Sequence, residues 1–423
     1  MKNHALTGIL CLLFILFLIP VFPAAAQESP IRVEVDRLNV SFDEPPQVTG
    51  GRTLVPFRAL SEAMGVSVTW DPSTRQVLAQ NRNTTVLLTV DSTRALVNGR
   101  EVTLDQPARI QGGRALIPLR FFGEAFDAAV HWDPDARRIA ISTPPLPMTV
   151  IGFYALGSSA ASSWTDLFGT PWPEAGSGRT HLVDELALGW YGLDATGGLT
   201  TSTRSGWSRP SSWQDVLTAA ALHNLRTEMT VHETDRDGLL RNLLSNDLAV
   251  RRAVEEITAE ASLHYSGVNL DLEGLGWRET GETLEATRQR FTGFVSRLSE
   301  SLRARGLTLT LTLHPLNSGY PGYDYAALGA LADRIIVMAH DYGGRPEPDA
   351  RVEEAIVQAK ALVPASRLIL GISLPTETPE SLVARAGLVR RHNLAGISLW
   401  RLGLGTNDTW HVLESRIVSR ATP

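Results

Sequence analysis

Gly267-Val268-Asn269-Leu270-Asp271-Leu272-Glu273 is the stretch on which the reading of this chain turns. Val268, Leu270 and Leu272 share one face of a short strand, and Asn269, Asp271 and Glu273 share the other, because strand side chains alternate with period two. A buried carboxylate is costly unless it is paired or protonated. Two carboxylates two residues apart, about 6–7 Å along a strand, repel and push one pKa upward. Such a pair keeps one acid protonated near neutral pH, ready to protonate a leaving group. Two plainer readings share the pattern: an edge strand with one wet face, and a structural Asp–Arg network. The surrounding sequence weighs between them.

From Met148 onward, short apolar strands alternate with helices, the signature of a parallel sheet. The predicted strands are 149–154, 185–191, 226–231, 267–273, 307–314, 334–340, 367–374 and 396–400. Helices fit between them at 211–223, 247–263, 282–305, 325–332, 352–363 and 379–392, with a last one at about 408–420; the first crossover, around 162–168, carries the weakest helical signal. Eight strand–crossover units in about 275 residues match a closed (β/α)8 TIM barrel. An open doubly wound sheet is the alternative, but no G-x-G-x-x-G follows the first strand. Barrel sites sit at the C-terminal strand ends. Those ends carry Tyr154, Trp190, Tyr191, His232, Glu233, Asp271, Glu273, His314, His340, Asp341, Tyr342 and Trp400. Aromatic faces stack on sugar rings and carboxylates handle glycosidic oxygens, so the set points to a carbohydrate cleft.

Residues 31–143 hold an internal duplication, expected to form a smaller α+β domain. Gly50-Gly51-Arg52-Thr53-Leu54-Val55-Pro56-Phe57-Arg58 returns as Gly112-Gly113-Arg114-Ala115-Leu116-Ile117-Pro118-Leu119-Arg120, and Trp70-Asp71-Pro72 as Trp132-Asp133-Pro134, at a constant offset of 62 residues. Each unit reads as a Gly-Gly turn, a strand, a Pro-started helix and two strands. Asn98-Gly99 is a type I′ turn signal. A proline-rich linker, 144–148, separates this region from the barrel at 149–423.

The remaining composition sets limits. A formal net charge of −6 argues against a nucleic-acid partner. Residues 1–26 read as a secretory signal peptide: Lys2, an apolar run from Leu6 to Phe22, and Ala24-Ala25-Ala26 before Gln27. An uncleaved anchor is the alternative. The single cysteine, Cys11, falls within that run, so the mature chain has no disulfide, thiolate metal site or Cys nucleophile. His232, His314 and His340 lack metal-motif spacing, and no metal or cofactor is expected.

The duplicated region resembles the copper amine oxidase N-terminal-like stalk domain of secreted, wall-associated bacterial proteins; its one histidine, His131, gives no copper site. Residues 148–423 resemble the family 18 glycoside hydrolases. That family marks its fourth strand Asp-x-x-Asp-x-Asp-x-Glu; Asp271 and Glu273 match the last two acids, while Ser266 and Asn269 replace the others. The Gly-Val-Asn start, and Tyr191-Gly192-Leu193-Asp194 through Gly197-Gly198-Leu199, are similar to the spore-cortex-lytic and peptidoglycan N-acetylglucosaminidase branch. Met338-Ala339-His340-Asp341 stands where the family has Met-x-Tyr-Asp, and Trp400 ends the eighth strand. The resemblance implies a retaining, substrate-assisted glycosidase. Glu273 is then the acid and base, and Asp271 holds the 2-acetamido group. Asn269 hydrogen-bonds Asp271 from beneath. His340 and Asp341 grip the acetamido group, with Tyr342 as a substitute for the family tyrosine. Trp400 floors the sugar, with Tyr154 and Tyr191 as further substrate contacts. The implied function is a secreted hydrolase cutting β-1,4 linkages at N-acetylglucosamine in peptidoglycan, with the bacterial cell wall as its partner. A catalytically weak glycan-binding wall protein and a chitinase acting on external polymers are the other readings.

Overall fold

The computed structural model describes residues 30–155, 161–204 and 206–420. The expected signal peptide and Cys11 lie outside the described residues.

Eight parallel strands form the C-terminal barrel: β1 (Thr149–Tyr154), β2 (Glu185–Leu193), β3 (Arg226–Thr234), β4 (Gly267–Glu273), β5 (Thr308–Leu313), β6 (Arg334–Val337), β7 (Leu368–Ser373) and β8 (Gly396–Trp400). Each pairs with its successor, and β8 closes on β1 with Thr149 opposite Gly396. Burial on both faces explains their near-continuous apolar composition. Ile151, Phe153, Ala187, Ile336 and Ile369 fill the interior; a larger apolar layer lies between sheet and helices.

The bottom of the barrel is closed by charge. The Arg334 guanidinium forks onto both Glu185 oxygens at 2.7 Å and reaches Glu228 Oε1 at 2.7 Å. The fully buried Glu228 also accepts from Thr310 Oγ1 at 2.8 Å. Burial raises the Glu228 pKa, with the Arg334 charge opposing. The expected helices form, and the weak first crossover contains a helix, Ser163–Phe168, capped by the Ser162 side chain. One helix, Leu239–Ser245, has no counterpart in the sequence-based expectation.

The N-terminal duplication folds as an α+β unit with its own core. Strands 52–56 and 114–118 run antiparallel side by side. Each leads into a helix, Phe57–Ala63 or Leu119–Ala125, started at Pro56 or Pro118. The helices meet through Phe57 and Phe122, ring centres 5.5 Å apart. Asn98 and Gly99, both at positive φ, turn strand 94–97 into strand 100–103. Buried Asp36 accepts from the Thr143 amide at 2.9 Å and from Arg416 Nη1 at 3.3 Å, joining this unit to the last helix of the barrel.

Candidate active site

Because β4 alternates, Asn269, Asp271 and Glu273 all face the barrel interior, stepping upward to its C-terminal mouth. Asn269 and Asp271 are buried, Asp271 at 2 % exposure, whereas the Glu273 side chain keeps 28 %. Glu273 Oε1 lies 3.2 Å from His232 Nε2 on β3, and Oε2 lies 3.5 Å from His314 Nε2 beyond β5. Asp271 and Glu273 open into a cleft of about 180 Å³ whose rim includes Phe153, His314, Met338, His340 and Trp400. Trp400 is held edge-on by Phe153 and stacked by Trp207, ring centres 5.3 and 5.2 Å away. His314 is stacked on Tyr320 at 4.2 Å.

His340 and Asp341 also line the cleft, with His340 Nδ1 3.1 Å from Asp341 Oδ2. Asp341 sits at φ 65°, and its side chain is 82 % exposed. Buried Glu347 pins this turn, accepting from the Asp341 and Tyr342 amides at 3.0 Å each.

Other expected contacts are made elsewhere. Tyr154 follows the inward-facing Phe153, so the pleat turns it out into the helix layer, edge-on to Trp190 at 6.1 Å. Tyr191 stands past a register shift between β2 and β3 and also points outward. Its hydroxyl donates to Glu260 at 2.7 Å and accepts from Arg209 at 3.0 Å. Tyr342 donates to Asn317 Oδ1 at 2.8 Å and lies under the Arg351 guanidinium, away from the cleft. Asn269 does not support Asp271 through a hydrogen bond. Its Oδ1 accepts from Thr312 Oγ1 at 2.7 Å, while Asn269 Nδ2 and Asp271 Oδ1 are buried without partners among the described residues.

Residues 34–141 match the family model of the copper amine oxidase N-terminal domain. Two proteins of Bacillus subtilis (strain 168) are similar in sequence. One, described as a sporulation-specific glycosylase, is 28 % identical over 196 residues, 44 % of this chain and 44 % of that protein. The other, a cortical fragment-lytic enzyme, is 22 % identical over 251 residues, 43 % of this chain and 56 % of that protein. The chain thus spans about half the length of these curated relatives. Among solved structures, a chitinase from Chromobacterium violaceum matches with TM-score 0.52 and 19 % identity, over 63 % of this chain and 98 % of that one. The Bacillus cereus spore cortex-lytic enzyme SleL matches with TM-score 0.52 and 16 % identity, over 66 % and 76 %. A copper amine oxidase-like N-terminal domain precedes a chitinase-like, spore-cortex-lytic-enzyme-like barrel.

Within this chitinase-like barrel the site is a shared proton store. Burial raises the Asp271 pKa, the Glu273 charge adds to it, and His232 opposes. Burial also works to raise Glu273, but the His232 hydrogen bond and the His232, His314 and His340 charges outweigh it and hold Glu273 below its ordinary value. Burial pulls His232 down, yet its hydrogen bond to Glu273 and the charges of Asp271, Glu273 and Glu233 push it up to about 9. His314 is lowered by burial. These directions favour the neutral acid at Asp271, the carboxylate at Glu273 and the imidazolium at His232, two protons shared among three groups. Ligand atoms of these three lie within 4.8 Å of one another, close enough to clasp a small cation, which would have to displace those protons.

His232 stands among the strand-end residues, but no role beside Glu273 follows from the sequence. His232 ends a strand, but nothing in its neighbourhood says that β3 and β4 pair with His232 opposite Asp271. Phe153 as a cleft residue and Trp207 as the ring stacked on Trp400 were likewise invisible, because each depends on which way its backbone turns.

Proposed function

We propose that this protein is a secreted, wall-associated glycoside hydrolase that cleaves β-1,4 linkages at N-acetylglucosamine in peptidoglycan by substrate-assisted retention. The observation that carries the reading is Asp271 beneath Glu273 on the inner face of β4, open to a cleft edged by Trp400. The cortex-lytic and glycosylase names of the relatives agree with that substrate class.

The chemistry follows from the proton store. Substrate filling the cleft excludes water and brings its acetamido group to Asp271. A proton held by the cluster moves to Glu273, which then carries it to the glycosidic oxygen as the C1–O bond breaks. The substrate's acetamido oxygen bonds to C1, giving an oxazolinium-like intermediate, and the Asp271 carboxylate steadies the acetamido N–H. Glu273, now ionised, takes a proton from water as that water opens the intermediate. Trp400 supports the sugar ring, and His340 with Asp341 borders the acetamido pocket. No enzyme nucleophile is required.

The test is to incubate the protein with peptidoglycan and with chitooligosaccharides and follow new reducing ends by mass spectrometry. Loss of a general acid costs about 10²–10⁴-fold, so Glu273→Gln is expected to lose at least that much. Equal product from both proteins rejects the reading. A second reading, a catalytically weak glycan-binding wall protein, is favoured by His340 in place of the family tyrosine and by the His232 imidazolium that holds Glu273 ionised. Saccharide binding without turnover, unchanged in Glu273→Gln, would select it.

A further inference from the structure

The N-terminal unit carries two grooves, one per repeat, of about 500 and 380 Å³. Every residue lining the first has its counterpart, 62 positions away, lining the second. Val55 pairs directly with its own counterpart Ile117, and Leu54 and Pro56 pair with Pro118 and Leu116, so a pseudo-two-fold axis passes between the two central strands. The ion pairs cross this axis: Arg52 bonds Asp105 and Arg114 bonds Asp43.

Apolar positions of both core and groove differ between the copies, whereas one indole, one cation and one anion in each groove are kept. Leu60 in the core has become Phe122, and Phe57, which lies in the core and also lines the first groove, has become Leu119. In the grooves, Trp70 and Trp132, Arg58 and Arg120, and Glu62 and Glu124 are identical pairs. The indoles are 38 % and 39 % exposed. None of these four charged side chains makes an ion pair or hydrogen bond among the described residues. Isolated apolar side chains on a surface need no explanation. The same indole set beside the same unpaired cation and anion, twice, does.

We propose that each groove is a saccharide-binding site, and that the N-terminal unit is a two-site clamp for a glycan polymer. An exposed indole offers a flat apolar face to a pyranose ring, as aromatic rings with one wet side do. Arg58 or Arg120 can donate to hydroxyl and acetamido oxygens, and Glu62 or Glu124 can accept from hydroxyl and amide hydrogens. That the bound polymer is the one cut by the barrel rests on the function proposed above. The two-fold gives the grooves opposite sense, while a glycan strand has a direction. The two sites therefore hold two segments of a network, and their linkage raises avidity on insoluble polymer without strengthening either site.

The test uses the full chain carrying Glu273→Gln, so that ligand is not cut. Retention on insoluble peptidoglycan and calorimetric titration with soluble chitotetraose are measured for Trp70→Ala, Trp132→Ala and the double variant. Each single variant is expected to weaken retention by about 10²-fold through lost avidity, and to remove one soluble-ligand site while leaving the other's affinity within about twofold. Trp→Phe at the same positions restores most of the retention. Unchanged retention in the double variant overturns the proposal. So does a concentration-dependent dimer that the Trp→Ala variants abolish, or equal retention loss in the Trp→Phe variants. Groove variants in the wild-type background should still cleave soluble fragments; if wild type cleaves nothing while groove binding persists, only the hydrolase reading fails.

Discussion

Replacing His232 with glutamine tests the electrostatics of the site directly. His232 is raised from 6.5 to about 9 by the Glu273 hydrogen bond and the surrounding carboxylates, against burial. At about 1.4 kcal/mol per pKa unit, that difference corresponds to about 3 kcal/mol of folding free energy. A raised pKa means the folded state holds the proton more tightly than the unfolded chain. The stabilisation is therefore complete below pH 6.5 and is lost as pH rises from there through about 9. His232→Gln keeps a donor near Glu273 but no charge, so about 3 kcal/mol is an upper value. For a domain of this size, about 2–4 °C per kcal/mol gives a fall in Tm of roughly 6–12 °C at pH 6. At pH 10 the two proteins should melt together. Scanning fluorimetry at the two pH values measures both numbers. The same Tm difference at pH 6 and pH 10 would refute the imidazolium–carboxylate assignment, and with it the two-proton cluster.

Asp271→Asn should raise Tm by a few degrees at pH 8 and not at pH 3.5, because an acid with a raised folded pKa costs stability once pH exceeds its unfolded value; turnover of glycan fragments should drop about 10²-fold or more, and a stability change without that pH dependence counts against the buried proton. Arg334→Met strips the fully buried Glu228 of its cation and should cost about 3–5 kcal/mol, seen as a large fall in Tm that the additional change Glu228→Gln partly repairs. Under the proposed function, His340→Tyr puts a phenol hydroxyl beside the acetamido group and should raise kcat about tenfold, the worth of one hydrogen bond of about 1.4 kcal/mol; no gain in steady-state kinetics would count against that placement of His340.

The barrel was legible because its strands are short apolar runs at regular spacing, and the acids of β4 were legible because a two-residue period fixes their face. The same rule misled at Tyr154. A strand end names a residue, but the neighbouring Phe153 had already taken the inward face. Tyr191 fails for a related reason: a register shift next to it resets which side chains look in, and that shift has no sequence signal of its own. Tyr342 follows Asp341, whose positive φ swings the chain and sends the ring to Asn317.

By itself, the sequence determined the duplication, the eight-strand rhythm and the placing of Asp271 and Glu273 on one face. These follow from local periodicity, which backbone geometry imposes on any chain. The charge state of Glu273 was settled only in three dimensions, where parallel pairing sets His232 beside β4 and burial strips water from both groups. The groove pairs likewise exist only after the two repeats close around their shared axis, since each wall draws residues from both copies. Periodicity assigns faces, but pKa values and clefts arise from groups that the fold brings together across the chain.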